Sequence, residues 1–253
     1  MRKIFAILLV ISSFANAQFY QIDYDLKTQA AFTNEGLKQF SQAIPDVKQR
    51  EMILDGMKNI PIMNYIFSFN ESESKTAFEL KVNNSQTQQG PFSAIPPAEI
   101  GLNSIVKYNE KMFYDEVDVM GKKFLAYDSI HFVDFKETGK TKEILGKKVK
   151  EALGKFQQYD IIAWYDDSNP NHFSPDGFYG TKGLILELHY KYVKDGVEVI
   201  TSWIPTKITT LKSAPIFKLN DKLKKIKYSE MEKMYEEFNQ KQREEMNSGV
   251  DKK

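Results

Sequence analysis

The chain has 253 residues, 42% of them hydrophobic and 13% aromatic, which is ample for a sizeable core in one large domain or two small ones. Cysteine is absent, and this excludes disulfides, thiolate metal sites, a thiol nucleophile and a lipid-anchoring cysteine. Lys and Arg number 35 against 34 Asp and Glu, so no charge excess points to nucleic acid or another polyanion.

The first predicted element is a leader. Arg2 and Lys3 give a basic start, Ile4 to Ile11 an apolar run, and Ala15-Asn16-Ala17 the small-x-small pattern that a signal peptidase reads before Gln18. The run is shorter than the roughly 20 residues that span a bilayer. Cleavage after about Ala17 is therefore expected, with export to the periplasm or to the periphery of an outer membrane. Loss of Arg2 and Lys3 reverses the sign of the one-charge difference. No later apolar stretch approaches bilayer length.

Phe19 to Lys27 alternates, with Tyr20, Ile22, Tyr24 and Leu26 on one face, and predicts a half-buried strand. From Asn34 to Asn59 the period becomes helical. Val47, Ile53, Leu54 and Met57 form a stripe, Pro45 and Asp46 mark a start, and at least one helix is predicted, ending before Pro61. Short strands are then predicted at Ile62–Phe69, Lys75–Val82, Ser104–Tyr108, Lys111–Val117, Lys123–Tyr127 and Ile130–Phe135, too closely spaced for helical crossovers and so paired antiparallel. Between Asn83 and Asn103 lies an insert rich in Gln, Ser, Gly and Pro, either functional or mobile.

The second half carries the strongest strands: Gly146–Leu153, Tyr159–Tyr165 and Leu184–Val193. Asp195-Gly196 is a two-residue hairpin turn that tolerates positive φ at both positions. Pairing Lys194 with Val197 sets Tyr192 opposite Val199, Tyr190 opposite Thr201 and Leu188 opposite Trp203 on one face. A terminal helix is predicted over Tyr228–Met246, with Ser229 and Glu232 as a capping box and Met231, Met234, Tyr235 and Phe238 as its apolar stripe. These elements predict a mainly β fold: a curved antiparallel sheet or open half-barrel, with an N-terminal helical insertion and a C-terminal amphipathic helix, in one domain over 18–253.

The segment Gly180-Thr181-Lys182-Gly183-Leu184-Ile185 resembles the motif of the GLPGLI family of exported Bacteroidota proteins, with Thr181-Lys182 in place of the family's Leu-Pro. Trp164, Tyr165, Pro170, Pro175, Asp176 and Gly177 match its upstream flank. The resemblance covers roughly residues 130 to 190 and implies an exported β-rich envelope protein. It brings no enzymatic activity with it. Physically, Gly180 and Gly183 offer unusual φ values or close approach where a loop re-enters a sheet, after which Leu184, Leu186 and Leu188 share a buried face. That structural reading is preferred over a binding tip, because glycine-rich turns into strands are common.

Other constellations are weighed against plainer readings. Asp167, Asn169 and Asn171 repeat the opening of a calcium loop, but His172 and Phe178 occupy its Gly and Glu positions. A looser site on Asp166, Asp167 and Asp176 competes with ordinary turn chemistry. His131, His172 and His189 form no metal-binding pair, and an enzyme would have to rest on His172 with Asp167 and Asp176. No nucleophile elbow or phosphate loop is present. The four lysines of Lys222–Lys227 are read as a solvated connector. No metal, cofactor or nucleic acid is expected. The expected function is that of a non-enzymatic periplasmic or outer-membrane-associated binding or accessory subunit with a protein partner, the loops Asn83–Asn103 and Asp166–Thr181 forming its contact surface. The alternative is a carrier of an apolar ligand or lipid inside the curved sheet.

Overall fold

The computed structural model describes residues 19–79 and 103–250; the predicted leader and the insert up to Asn103 lie outside the described residues. The alternating run at the start forms β1 (Phe19–Phe32), in which Tyr20, Ile22, Tyr24 and Leu26 are all buried. The helical segment divides into α1 (Asn34–Ala43) and α2 (Val47–Lys58). Thr33 caps the first by accepting from the Gly36 N–H, and Asp46 caps the second by accepting from the Gln49 N–H. Pro45 cannot continue a helix, which accounts for the break. Val47 is exposed while Ile53, Leu54 and Met57 are half-buried, so the predicted stripe is covered only in part.

A meander follows: β2 (Met63–Phe69), β3 (Glu73–Glu79), β4 (Asn103–Lys107), β5 (Met112–Val119) and β6 (Lys122–Ser129). Of the predicted strand Ile130–Phe135 only β7 (His131–Phe132) forms. Then come β8 (Lys136–Ile144), β9 (Lys147–Phe156), β10 (Tyr159–Asp166), β11 (Phe178–Tyr179), β12 (Leu184–Lys194), β13 (Val197–Leu211), β14 (Lys224–Lys227) and α3 (Tyr228–Val250). The sheet has twelve strands in the order β14-β6-β5-β4-β3-β2-β1-β13-β12-β10-β9-β8, and it does not close.

Its pairs are antiparallel except that β14 runs parallel to β6, and Ile226 of β14 is buried. The lysine-rich segment therefore contributes an edge strand instead of the expected connector. The hairpin register is the predicted one, with Leu188 opposite Trp203, Tyr190 opposite Thr201 and Tyr192 opposite Val199. Asp195 and Gly196 both have positive φ, 51° and 74°. The tip of this hairpin docks on α1, where the Gly196 carbonyl accepts from both the N–H and the hydroxyl of Thr33. A Cβ on Gly36 would lie 2.0 Å from that same oxygen. Pro205, inside a central strand, is tolerated because the register shifts there, between Asp23 and Tyr24 of the neighbouring strand.

Two stretches cross the inner side of the sheet. From β6, which lies next to the β14 edge, the chain passes through Ile130 and Val133, both buried, to β8 at the opposite edge. From β10 it passes through 167–183 before entering β12. Where the two stretches meet, β7 and β11 pair in parallel, and the Val133 N–H donates to the Tyr179 carbonyl at 2.7 Å. Phe173, Phe178 and Tyr179 are buried in the main core with Tyr24, Phe67, Phe69, Leu188 and Trp203. A smaller core joins Val117, Val119, Phe124, Ala126 and Ile226 to Met231 of α3. This helix begins at Tyr228, so Ser229 lies within its first turn. Among the described residues no helix is long and apolar enough to cross a membrane.

Candidate functional site

The loop between β10 and β12 is largely an interior element. Phe173, Ser174, Pro175, Phe178, Tyr179 and Thr181 are buried, while Pro170, Gly180 and Lys182 are exposed. Thr76 donates its hydroxyl to the Pro175 carbonyl at 3.0 Å. Asp176 is the loop's anchor. Its Oδ2 accepts from the Tyr190 hydroxyl at 2.8 Å and the Trp203 indole at 3.0 Å, and its Oδ1 accepts from the Gly177 N–H. Burial and the Asp176 charge push the Tyr190 hydroxyl well above its usual range, and the same two causes raise Tyr65 to about 12.

The motif glycines act by two different means. Gly180 has φ +130°, and a Cβ there would lie 2.3 Å from the Val133 carbonyl oxygen. Gly183 lacks a positive φ of that kind; the chain passes so close that a Cβ would sit 2.1 Å from the Asp166 carbonyl oxygen. Between them Thr181 donates its hydroxyl to the Gly183 carbonyl at 2.8 Å, and Lys182 reaches Glu137 at 2.8 Å. The expected alternation after the motif is interrupted. Trp164 pairs with Glu187 but Tyr165 with Ile185, which leaves Leu186 as an extra residue. Leu184, Ile185, Leu186 and Leu188 are consequently all buried, in place of three on one face. Tyr165 is buried too, and burial with a bond to Glu137 pushes its hydroxyl up to about 12.

The catalytic and calcium constellations do not assemble. Asp166 accepts from the Ser168 N–H and hydroxyl, Asp167 pairs with Lys150, and Asp176 is engaged as described. Among the described residues no three His, Asp or Glu side chains are placed to hold a metal ion. His172 Nδ1 lies 3.0 Å from the Thr181 carbonyl. Since a carbonyl only accepts, that nitrogen carries the proton and the ring is oriented by backbone instead of by a carboxylate.

The outward face of β8, β9, β10, β12 and β13 carries a network that motif reading missed. Ser202 Oγ lies 2.9 Å from His189 Nδ1, and His189 Nε2 lies 2.6 Å from Glu187 Oε1. Lys142 reaches the same carboxylate oxygen at 2.7 Å and lies 4.2 Å from the centroid of the Trp164 ring. Burial raises the Glu187 carboxyl, but bonds from His189 and Lys142 hold it below the ordinary range. The signal was present in the predicted hairpin: Leu188 opposite Trp203 inward puts His189 opposite Ser202 outward. A Ser-His-Glu chain resembles an acyl-transfer relay, which also needs donors aimed at a developing oxyanion. Here the serine lies in a central strand paired on both sides, whose N–H groups serve the ladder. Beside this network, Leu153 and Ile162 face each other across β9 and β10 at 45% and 38% exposure.

Fold and site together define a class: an open, mainly β protein whose polar loop is folded into the sheet and whose outward face carries a tryptophan, a histidine network and exposed aliphatic side chains. No protein-family profile matches the chain, and no curated protein matches it. Among solved structures it is similar to PNGF-II in two crystal forms. In space group C2 the identity is 17% and the TM-score 0.45, over 86% of this chain and 32% of that one. In P21 the values are 16% and 0.47, over 86% and 33%. The chain thus spans about a third of the length of the solved chains it matches, and a likeness this remote assigns no activity.

Proposed function

We propose that the protein is an exported, non-enzymatic subunit of the cell envelope, periplasmic or outer-membrane-associated and of the GLPGLI type, which binds a protein partner through the outward face of β9, β10 and β12. The observation that carries the reading is the pair Leu153 and Ile162, exposed side by side next to Trp164 and the Lys142–Glu187–His189 network. Tryptophan is enriched among interface hot spots, and an apolar patch framed by polar and charged groups has the anatomy of an interface. The leader pattern of Arg2 to Ala17 supports export. The loop Asp166–Thr181, expected from the sequence to be a contact surface, offers mainly Asp167, Ser168, Pro170 and Gly180 for that purpose, since Phe173, Ser174, Pro175, Phe178 and Tyr179 are buried.

The test is co-purification and cross-linking of the tagged protein from its own envelope in gentle detergent. Recovery of a defined partner, lost on Ile162→Glu with Trp164→Ala while the circular dichroism spectrum is retained, supports the proposal. Recovery of free monomer alone counts against it.

A further inference from the structure

Along β5 the inward row runs Phe113, Asp115, Val117, Val119. The apolar members carry α3: Phe113 meets Tyr228 edge-on at 5.5 Å between ring centroids, and Val117 and Val119 pack in the small core with Met231. Asp115 stands between them at 5% exposure, its Oδ1 without a hydrogen-bond partner among the described residues. A buried polar atom left unpaired is expensive, and a buried charge more so.

The groups facing Asp115 do not neutralise it. From β4 Ser104 donates a bond, from β6 the cross-strand residue is Ala126, and the charge that acts on it is another carboxylate, Asp176. Asp115 in turn acts on Tyr179 of β11 and Tyr228 of α3, with Glu232 of α3 adding negative charge near Tyr228. His131 of β7 approaches Phe113 and stacks on Phe156. Burial, with Asp176 reinforcing it against the Ser104 bond, raises the Asp115 carboxyl to about 6. Among the described residues Tyr228, Met231, Met234 and Tyr235 hold the helix on this small core, with the Tyr235 hydroxyl donating to the Asp118 carbonyl at 2.6 Å.

We propose that α3 is a pH-sensitive latch, docked over Asp115 while that carboxyl is protonated and loosened when it ionises. Lifting the helix lets water reach Asp115, so ionisation favours the open form by as much as hydration relieves the charge. It also uncovers the apolar row Val117, Val119 and Phe124, which makes the open form a different surface.

The chain has no cysteine, so one introduced thiol reports opening. Met231→Cys places it under the helix, and Lys233→Cys, on the exposed side, serves as reference for thiol reactivity at each pH. Labelling by a dipyridyl disulfide, expressed as the ratio of the two, should rise about fiftyfold between about pH 4 and 7.5 if Asp115 recovers its ordinary acidity in the open form. With Asp115→Asn the ratio should change less than about twofold. A ratio independent of pH in the Asp115 protein overturns the proposal, and so does an equal rise in the Asn variant. Met234→Cys and Asp115→Ser repeat both arms should either first variant fail to fold.

Discussion

Gly183→Ala tests whether the motif shapes the chain or offers a tip. The added Cβ would stand 2.1 Å from the Asp166 carbonyl oxygen, 2.8 Å from its carbon and 2.9 Å from the Asp167 Cα. All three are backbone atoms, so the clash cannot be relieved by turning a side chain. The Asp166–Asp167 peptide must move, and with it the pairing of Asp166 with Leu184 and the Asp166 bonds to Ser168. Overpacking costs about 1–3 kcal/mol and a weakened ladder bond about 1, so about 2–4 kcal/mol is expected. For a chain of this size that lowers Tm by roughly 5–15 °C. Gly177→Ala is the control, because its Cβ meets nothing within 4 Å and its φ is not in the positive region; it should be neutral or stabilise by a few tenths of a kcal/mol. Thermal melts and urea titrations of both variants measure the difference. If Gly183→Ala melts with Gly177→Ala, the close approach is not structural. If it also loses the envelope partner, the motif is a contact site.

Three further outcomes follow from the same geometry. Thr181→Leu with Lys182→Pro, the family's own pair, removes the buried bond to the Gly183 carbonyl and should destabilise by about 1–2 kcal/mol in urea titrations, whereas Lys182→Pro alone, losing an exposed ion pair, should do so far less. Asp176→Leu removes the carboxylate that accepts from the Tyr190 hydroxyl and the Trp203 indole and should cost about 2–4 kcal/mol, with a shift in tryptophan fluorescence as a second readout; an unchanged melt would show that the loop is not anchored there. Asp115 binds its proton more tightly folded than unfolded, so its contribution is fully present below about pH 3.8, declines as pH rises to about 6 and is then constant; Asp115→Asn should therefore be more stable than the parent by about 3 kcal/mol at pH 7 and should lose that advantage near pH 4.

Much of the sheet was legible because one face of each long strand is buried, and that imposes a period of two on the chain. Tyr20, Ile22, Tyr24 and Leu26 show it, and so does the Lys194–Val197 hairpin down to its register. β8 escaped the same reasoning. It is an edge strand whose residues, apart from the buried Ile144 and the half-buried Lys142, stand out to solvent, and nothing in Lys136 to Glu143 has to alternate. β14 is four residues long and pairs in parallel with a strand a hundred residues earlier, a relation that no local pattern encodes. By composition the loop 167–183 reads as surface, because Asp, Asn, Gly and Pro are the residues of exposed turns; its Phe173, Ser174, Pro175, Phe178 and Tyr179 are nevertheless buried.

By itself the sequence determined what depends on neighbours along the chain: strand periodicity, the helix start at Asp46, the turn at Asp195-Gly196, the glycines at 180 and 183. Tertiary structure decided what depends on distant partners meeting. It made Asp176 the acceptor for Tyr190 and Trp203, set the Gly183 constraint as a close approach and not a positive φ, brought Lys142 of β8 to Glu187 of β12, and buried Asp115 close to Tyr179 and Tyr228. The physical reason is that a side chain's hydration and charge state follow from what the rest of the fold brings to it, and for Asp115 that includes Asp176 and Tyr179 of the crossing loop and Tyr228 of a helix more than a hundred residues away.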